Sequence, residues 1–191
     1  GILSSGFLPS ALEIADKFTL RAAREYLGES VTPIVDAHLL VEIDGQTESV
    51  RGELRQLAKL VRELGCICLE EAMGEEACEV FWKLRREFSY SLRNTGLIKL
   101  NEDIVVPRSK LVDLVEFAEA LQAETGFPVA SFGHAGDGNI HVNIMVPTMD
   151  DPAIRERAES ALDKLFHQII AWNGAITGEH GIGIAKARWY P

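Results

Sequence analysis

The segment Ser131-Phe132-Gly133-His134-Ala135-Gly136-Asp137-Gly138-Asn139-Ile140-His141-Val142-Asn143-Ile144 constrains the fold of this chain more than any other. Val129–His134 and Ile140–Val146 have strand composition and leave room only for a tight turn between them, so they form an antiparallel hairpin. Asp137-Gly138 is the favoured dipeptide of a two-residue type I′ turn. A turn centred there sets His134 directly opposite His141 on one face, with Cβ atoms about 4.5–5.5 Å apart. Asn139 and Asn143 share that face, whereas Ile140, Val142, Ile144 and Val146 point the other way into a core. A slip of one residue would bury the polar set, so the pattern fixes the register. Two facing imidazoles can bind one cation, although paired strand histidines also fit a reading as ordinary satisfied polar residues. Two ligands alone hold a metal weakly, so a metal site needs a third.

Around the hairpin the chain alternates strands and helices. Ser10-Ala11-Leu12-Glu13 reads as a capping box that opens a helix through Leu12, Ile14, Ala15, Phe18 and Ala22, ending near Gly28. Val35–Ile43 is a strand closed by Asp44-Gly45. Glu48–Leu64 is a helix with Val50, Leu54, Leu57, Leu60, Val61 and Leu64 inward, capped by Gly65. Cys66–Glu70 is a short strand, Glu75–Leu92 a helix, Lys99–Val106 a strand, and Pro107 leads into a helix through Ala123. Asp150 or Asp151 with Pro152 starts a last helix to Trp172, and Gly174–Thr177 is a short strand before a glycine-rich loop. The class is α+β, a mainly antiparallel sheet with helices packed on one face.

Composition excludes several roles. The 191 residues are 47% hydrophobic and 25% charged, the usual globular mixture. Nineteen Lys and Arg against 29 Asp and Glu give a net charge of −10, which repels nucleic acid and anionic membrane faces. No apolar run approaches the ~20 residues of a membrane span, and Gly1–Ser10 lacks the order of a signal peptide. Three cysteines make no disulfide scaffold; Cys66, Cys68 and Cys78 read as small buried residues in a reduced, cytoplasmic protein. Trp82, Phe81, Leu84 and Phe88 fall at helical spacing as core, Asp137 is a turn residue, and His38 and His167 receive no function.

A second polar cluster, Thr177-Gly178-Glu179-His180-Gly181-Ile182-Gly183, supplies what the hairpin lacks. Glu179 would complete a two-His, one-carboxylate set with open coordination positions. His180 is the best-placed general base, since His alone titrates unperturbed near neutrality. The same residues also fit a flexible surface turn, and their spacing matches neither a dinucleotide-binding nor a Walker A loop.

Gly133–Asn143 and Gly178–Gly183 together resemble the two signature motifs of the C-terminal domain of FAD-linked oxidases. That group contains D-lactate dehydrogenase, D-2-hydroxyglutarate dehydrogenase and the glycolate oxidase D subunit, within the vanillyl-alcohol oxidase superfamily. The likeness runs from Leu8-Pro9-Ser10-Ala11-Leu12-Glu13 to the end, with further support from Trp82–Arg86 and Ile104–Arg108. It implies a ferredoxin-like α+β domain over residues 1–191. The FAD-binding domain would lie elsewhere in the full-length chain, and a C-terminal tail would follow Pro191. It implies that His134, His141 and Glu179 bind a divalent metal (zinc, manganese or iron) and that His180 accepts a proton. Asn143, Arg85, Ser89 and Lys99 would contact substrate, Arg85 by gripping its carboxylate. On the residues alone, Arg85 equally reads as a surface partner of Glu79 or Glu87.

The activity so implied is FAD-dependent oxidation of a D-2-hydroxy acid such as D-lactate or glycolate to the 2-oxo acid. The isolated chain would be inactive. An electron-acceptor subunit or protein is an expected partner, and peripheral membrane attachment within a complex an expected setting. Two other functions fit the residues: a self-sufficient metal-dependent hydrolase, and a non-catalytic module whose acidic face docks a partner.

Overall fold

A computed structural model describes residues 1–190. In chain order its elements are β1 (Ala11–Asp16), α1 (Lys17–Leu27), β2 (Ala37–Glu42), α2 (Thr47–Glu63) and α3 (Glu75–Arg93). There follow β3 (Ile98–Val105), α4 (Leu111–Thr125), β4 (Val129–His134), β5 (Asn139–Val146) and α5 (Pro152–Ala171). The five strands form one antiparallel sheet in the order β2-β1-β4-β5-β3. Beyond β3, a single antiparallel bridge joins Val105 to Ala175, where the sequence suggests a short strand. From β3 onward the order Ala175-β3-β5-β4 is the split βαβ arrangement of a ferredoxin-like sheet, extended by β1 and β2.

Helices cover both faces, not one. Alternation along β4 and β5 sends Ala130, Phe132 and Met145 to a core with Leu20 and Ala23 of α1 and with Leu84, Phe88 and Leu92 of α3. The opposite parity sends Ile104, Ile140 and Val142 against Leu114 of α4 and Leu165, Phe166 and Ile169 of α5. A strand buried on both sides reads as nearly continuous apolar sequence, and β5 is intermediate or buried throughout.

The first element differs from the sequence expectation. Ala11–Asp16 is a strand, and the helix begins six residues later than the capping box suggests. β1 lies between β2 and β4, so ladders on both sides satisfy its backbone, and this outweighs the local helical spacing. Its true period is two, with Glu13 and Ala15 buried. Asp16 is the actual N-cap: Oδ1 accepts from the Thr19 amide at 2.9 Å and Oδ2 from the Ser131 amide at 2.6 Å. The α2 end also departs from expectation. Leu64 is 61% exposed, and the Cys66 amide bonds back to Val61 O at 3.1 Å after Gly65 at φ +88°. That Schellman-type closure leaves 66–70 irregular rather than a strand, with Cys66 and Cys68 exposed rather than buried.

Burial pushes the Asp16 carboxyl up to about 6, against its amide donors. Because its folded value exceeds its unfolded one, its stabilising contribution is full at low pH and is lost as pH rises through about 6. Asp16→Ala removes a cap and strands the Ser131 amide, and we expect it to lower unfolding stability by roughly 2–4 kcal/mol. Denaturant titrations should show this deficit larger at pH 5 than at pH 7; a deficit that grows towards pH 7 contradicts the assignment.

Candidate metal centre

The hairpin turn is longer than a two-residue turn. His134 pairs with Asn139 and Phe132 with His141, so Ala135–Gly138 form the connection and the two histidines are diagonal rather than directly opposed. Three contacts set this register. The Gly138 amide bonds to His134 O at 3.0 Å, the Asn139 amide to Asp137 Oδ1 at 3.0 Å, and the Val106 amide to Gly138 O at 3.0 Å. Gly138 has φ +85°, and a Cβ there would lie 2.0 Å from Val106 O, so only glycine fits. The shift is two residues, which preserves side-chain parity. Both imidazoles therefore still share a face, with ring centroids 6.3 Å apart.

Glu179 joins them. One ligand atom from each of His134, His141 and Glu179 lies within 4.8 Å of the others. A carboxylate stands behind each histidine. Glu13 Oε1 is 2.5 Å from His134 Nδ1, and its Oε2 accepts from Arg85 Nε at 2.6 Å. Asp103 Oδ1 faces His141 Nδ1 at 3.8 Å, and these two buried atoms have no other partner. The Glu13 contact at Nδ1 leaves Nε2 as the free donor of His134, the arrangement that orients metal-binding histidines, whereas Asp103 stands behind His141 without a hydrogen bond to it.

Asp103 also builds the loop that carries Glu179. Its Oδ2 accepts the backbone N–H groups of Gly178, Glu179 and His180 at 2.9, 2.6 and 2.9 Å. Burial alone would raise its carboxyl, but these amides outweigh burial and hold it below the usual carboxylate range. Gly178 permits the close approach, since a Cβ there would stand 2.6 Å from the Asn139 side chain. Lys186 ties the following segment down, donating to Asp103 O at 3.1 Å and Ile176 O at 2.8 Å and pairing with Glu102. Burial lowers His141 from its ordinary value, opposed by Asp103 and assisted by Arg85, which favours the neutral ligand form. The exposed His180 ring stacks on His141 at 5.7 Å between centroids.

The other expected residues separate into two places. Arg85 pairs with Glu13, not with Glu79 or Glu87, and its guanidinium lies 5.1 Å from the Phe132 ring centroid. Lys99 donates to Ser89 Oγ at 2.8 Å, and burial, then nearby Arg93, lowers its pKa. Lys99 shares the histidine face of the sheet but lies four residues along β3 from Asp103, about 13 Å. Asn143 is fully buried, with Nδ2 donating to Ala130 O and His141 O at 3.0 and 3.1 Å and Oδ1 unpartnered. Two surface cavities of about 330 and 280 Å³ are lined by Ser5–Leu8 with Glu53, and by Glu42, Cys78 and Trp82; neither touches the histidines.

Sequence reasoning missed Glu13 and Asp103. Glu13 was absorbed into a supposed capping box. Asp103 carries no distinguishing signal, since it follows Asn101 and Glu102 and shares its strand parity with Lys99 and Asn101, so it reads as part of an ordinary polar face.

Fold and cluster together define an antiparallel α+β domain presenting two histidines and a carboxylate at the end of a central hairpin. Over residues 1–191 it matches the family described as FAD linked oxidases, C-terminal domain, and the chain belongs to that family. It is 30% identical over 186 residues to glycolate oxidase subunit GlcD of Bacillus subtilis (strain 168), covering 97% of this chain and 39% of that protein. It is also 30% identical over 185 residues to a D-lactate dehydrogenase of Anaerostipes hadrus, covering 93% of this chain and 39% of that protein. The chain thus spans about two fifths of the length of these relatives. A 4-ethylphenol oxidase from Gulosibacter chungangensis, in complex with isoeugenol, shares the fold. That likeness has a TM-score of 0.53 and 11% identity, and covers 94% of this chain and 41% of that one. Among the described residues no helix is long and apolar enough to cross a membrane.

Three hydrogen bonds to one carboxylate are worth roughly 1.5–3 kcal/mol each when lost. Asp103→Ala should therefore accelerate hydrogen exchange of the 178–180 amides by roughly 10- to 100-fold while α5 stays protected. Unchanged exchange in that loop would show that Asp103 does not hold it.

Proposed function

We propose that this chain is the substrate- and metal-binding domain of an FAD-dependent oxidoreductase that converts a D-2-hydroxy acid, such as D-lactate or glycolate, to the 2-oxo acid. The observation that carries the reading is the convergence of His134, His141 and Glu179, each imidazole backed by a buried carboxylate, beside Arg85 and His180. The orphaned His141 Nδ1 and Asp103 Oδ1 fit a centre that tightens around a cation, and the donor set suits zinc, manganese or iron. On this reading FAD belongs to a further domain of the full-length chain, and an electron acceptor is a separate partner. The setting proposed is cytoplasmic, with peripheral attachment to a membrane complex included.

Oxidation of a 2-hydroxy acid removes a hydroxyl proton and a Cα hydride. A divalent cation lowers the pKa of a hydroxyl it touches, and FAD accepts a hydride. His180, exposed and stacked on His141, takes the proton at a ring nitrogen. Arg85 has Nε held by Glu13, so its terminal N–H groups receive the substrate carboxylate and orient the Cα–H bond. A longer substrate's distal polar group would meet Lys99 and Ser89, which bond to each other at the far end of the face. Family membership over the whole chain supports this reading above a self-sufficient hydrolase.

In the full-length flavoprotein, His180→Ala should lower kcat by roughly 10²–10⁴-fold. Arg85→Ala should lower kcat/KM by on the order of 10²-fold. Dye reduction by D-lactate, glycolate and larger D-2-hydroxy acids measures both. Absence of turnover with every one of them, or full activity in His180→Ala, would overturn the assignment.

A further inference from the structure

Glu13 is 3% exposed and sits directly across from His134 in the β1–β4 ladder. One oxygen lies 2.5 Å from His134 Nδ1, and the other accepts from Arg85 Nε at 2.6 Å. We propose that Glu13 is a positioning residue that fixes the Nδ1–H tautomer of His134 and couples that ring to Arg85. One buried carboxylate then sets both the metal ligand and the carboxylate-gripping arginine. The proposal rests on the functional reading above, but its first readout needs neither metal nor substrate.

Donors and acceptors fix the proton's position. A carboxylate beside a guanidinium only accepts, so the proton of a neutral His134 must reside on Nδ1. The lone pair is then on Nε2, the atom left to meet His141 and Glu179. Arg85 is held from two directions, by Glu13 at Nε and by the Phe132 ring 5.1 Å from its centre. Phe132 in turn is the cross-strand partner of His141, with ring centroids 5.3 Å apart. A displacement of Glu13 therefore reaches both histidines and the arginine. A simple buried counter-ion for Arg85 would not specify which nitrogen of His134 carries hydrogen.

Glu13→Gln separates these roles, because glutamine has the same shape but one oxygen and one NH₂. If its NH₂ faces His134, Nδ1 must become the acceptor and the proton moves to Nε2. If the NH₂ faces Arg85 instead, donor opposes donor and the arginine swings away. Long-range ¹⁵N–¹H NMR of histidine rings in the metal-free full chain at pH 8 reads the tautomer directly. We expect Nδ1–H on His134 in the wild type and Nε2–H in Glu13→Gln, with the backbone amide spectrum otherwise retained. Titration with Mn²⁺ should then show affinity reduced by roughly 10- to 100-fold in the variant. An Nε2–H tautomer or an imidazolium in the wild type overturns the proposal, and that spectrum decides even if the variant fails to fold. The same tautomer in both proteins, with the Arg85 Nε–H resonance also unchanged, overturns it as well. A tautomer switch between wild type and Glu13→Gln, with no Mn²⁺ taken up by the wild type, upholds the positioning role and removes the metal reading instead.

Discussion

A carboxylate taken out of water must be surrounded by N–H donors, and the site is organised by two that are. Asp103, with no solvent exposure, gathers three consecutive backbone amides from the loop after α5. Glu13 does the same with a ring and a guanidinium. Because β1 and β3 flank the β4–β5 hairpin on opposite sides, the two acids approach the histidines from opposite edges. Residues distant in sequence, near positions 13, 85, 103, 134 and 179, are thereby drawn to one spot. Removing either acid would leave its partners buried without an acceptor, a larger cost than the loss of the bond itself.

The arrangement also divides rigid from accessible parts. His134 and His141 are carried on sheet strands with helices packed on both faces, whereas Glu179 and His180 sit on an exposed loop clamped from beneath by Asp103. On the proposed reading, a fixed pair of candidate ligands with a third on a tethered loop would suit a centre that admits a substrate. In a chain of net charge −10, Arg85 and three histidines converge with the carboxylates of Glu13, Asp103 and Glu179, so the cluster gathers both signs of charge in one place.

Much of this was legible in the sequence, for reasons that differ by element. The hairpin, the five longest helices and the α+β class followed from periodicity and turn residues, since those elements obey local rules. The cluster His134, His141 and Glu179 is nameable from sequence because glycines around it mark close backbone approach, and the resemblance implies its candidate roles. The exact pairing was not legible. Gly138 O is committed to the Val106 amide, just past the end of β3, and this lengthens the turn by two residues. The face survived only because side chains alternate with period two. β1 was misread because its helical spacing is genuine locally and is overridden by two ladders that no local signal announces. Helices on both faces escaped notice for a similar reason: which side a helix packs on is decided by chain crossings, not by its own sequence.

The central claim is that His134, His141 and Glu179 converge on one divalent cation. Addition of Co²⁺ to the protein, followed by visible absorption and X-ray absorption fine structure, tests it most directly. The account predicts one equivalent bound, with two imidazole nitrogens and carboxylate oxygen at about 2.0–2.2 Å, the range for such ligands. The spectrum should vanish in His141→Ala. A Co²⁺ spectrum without imidazole scattering, or one unchanged by that substitution, would contradict it.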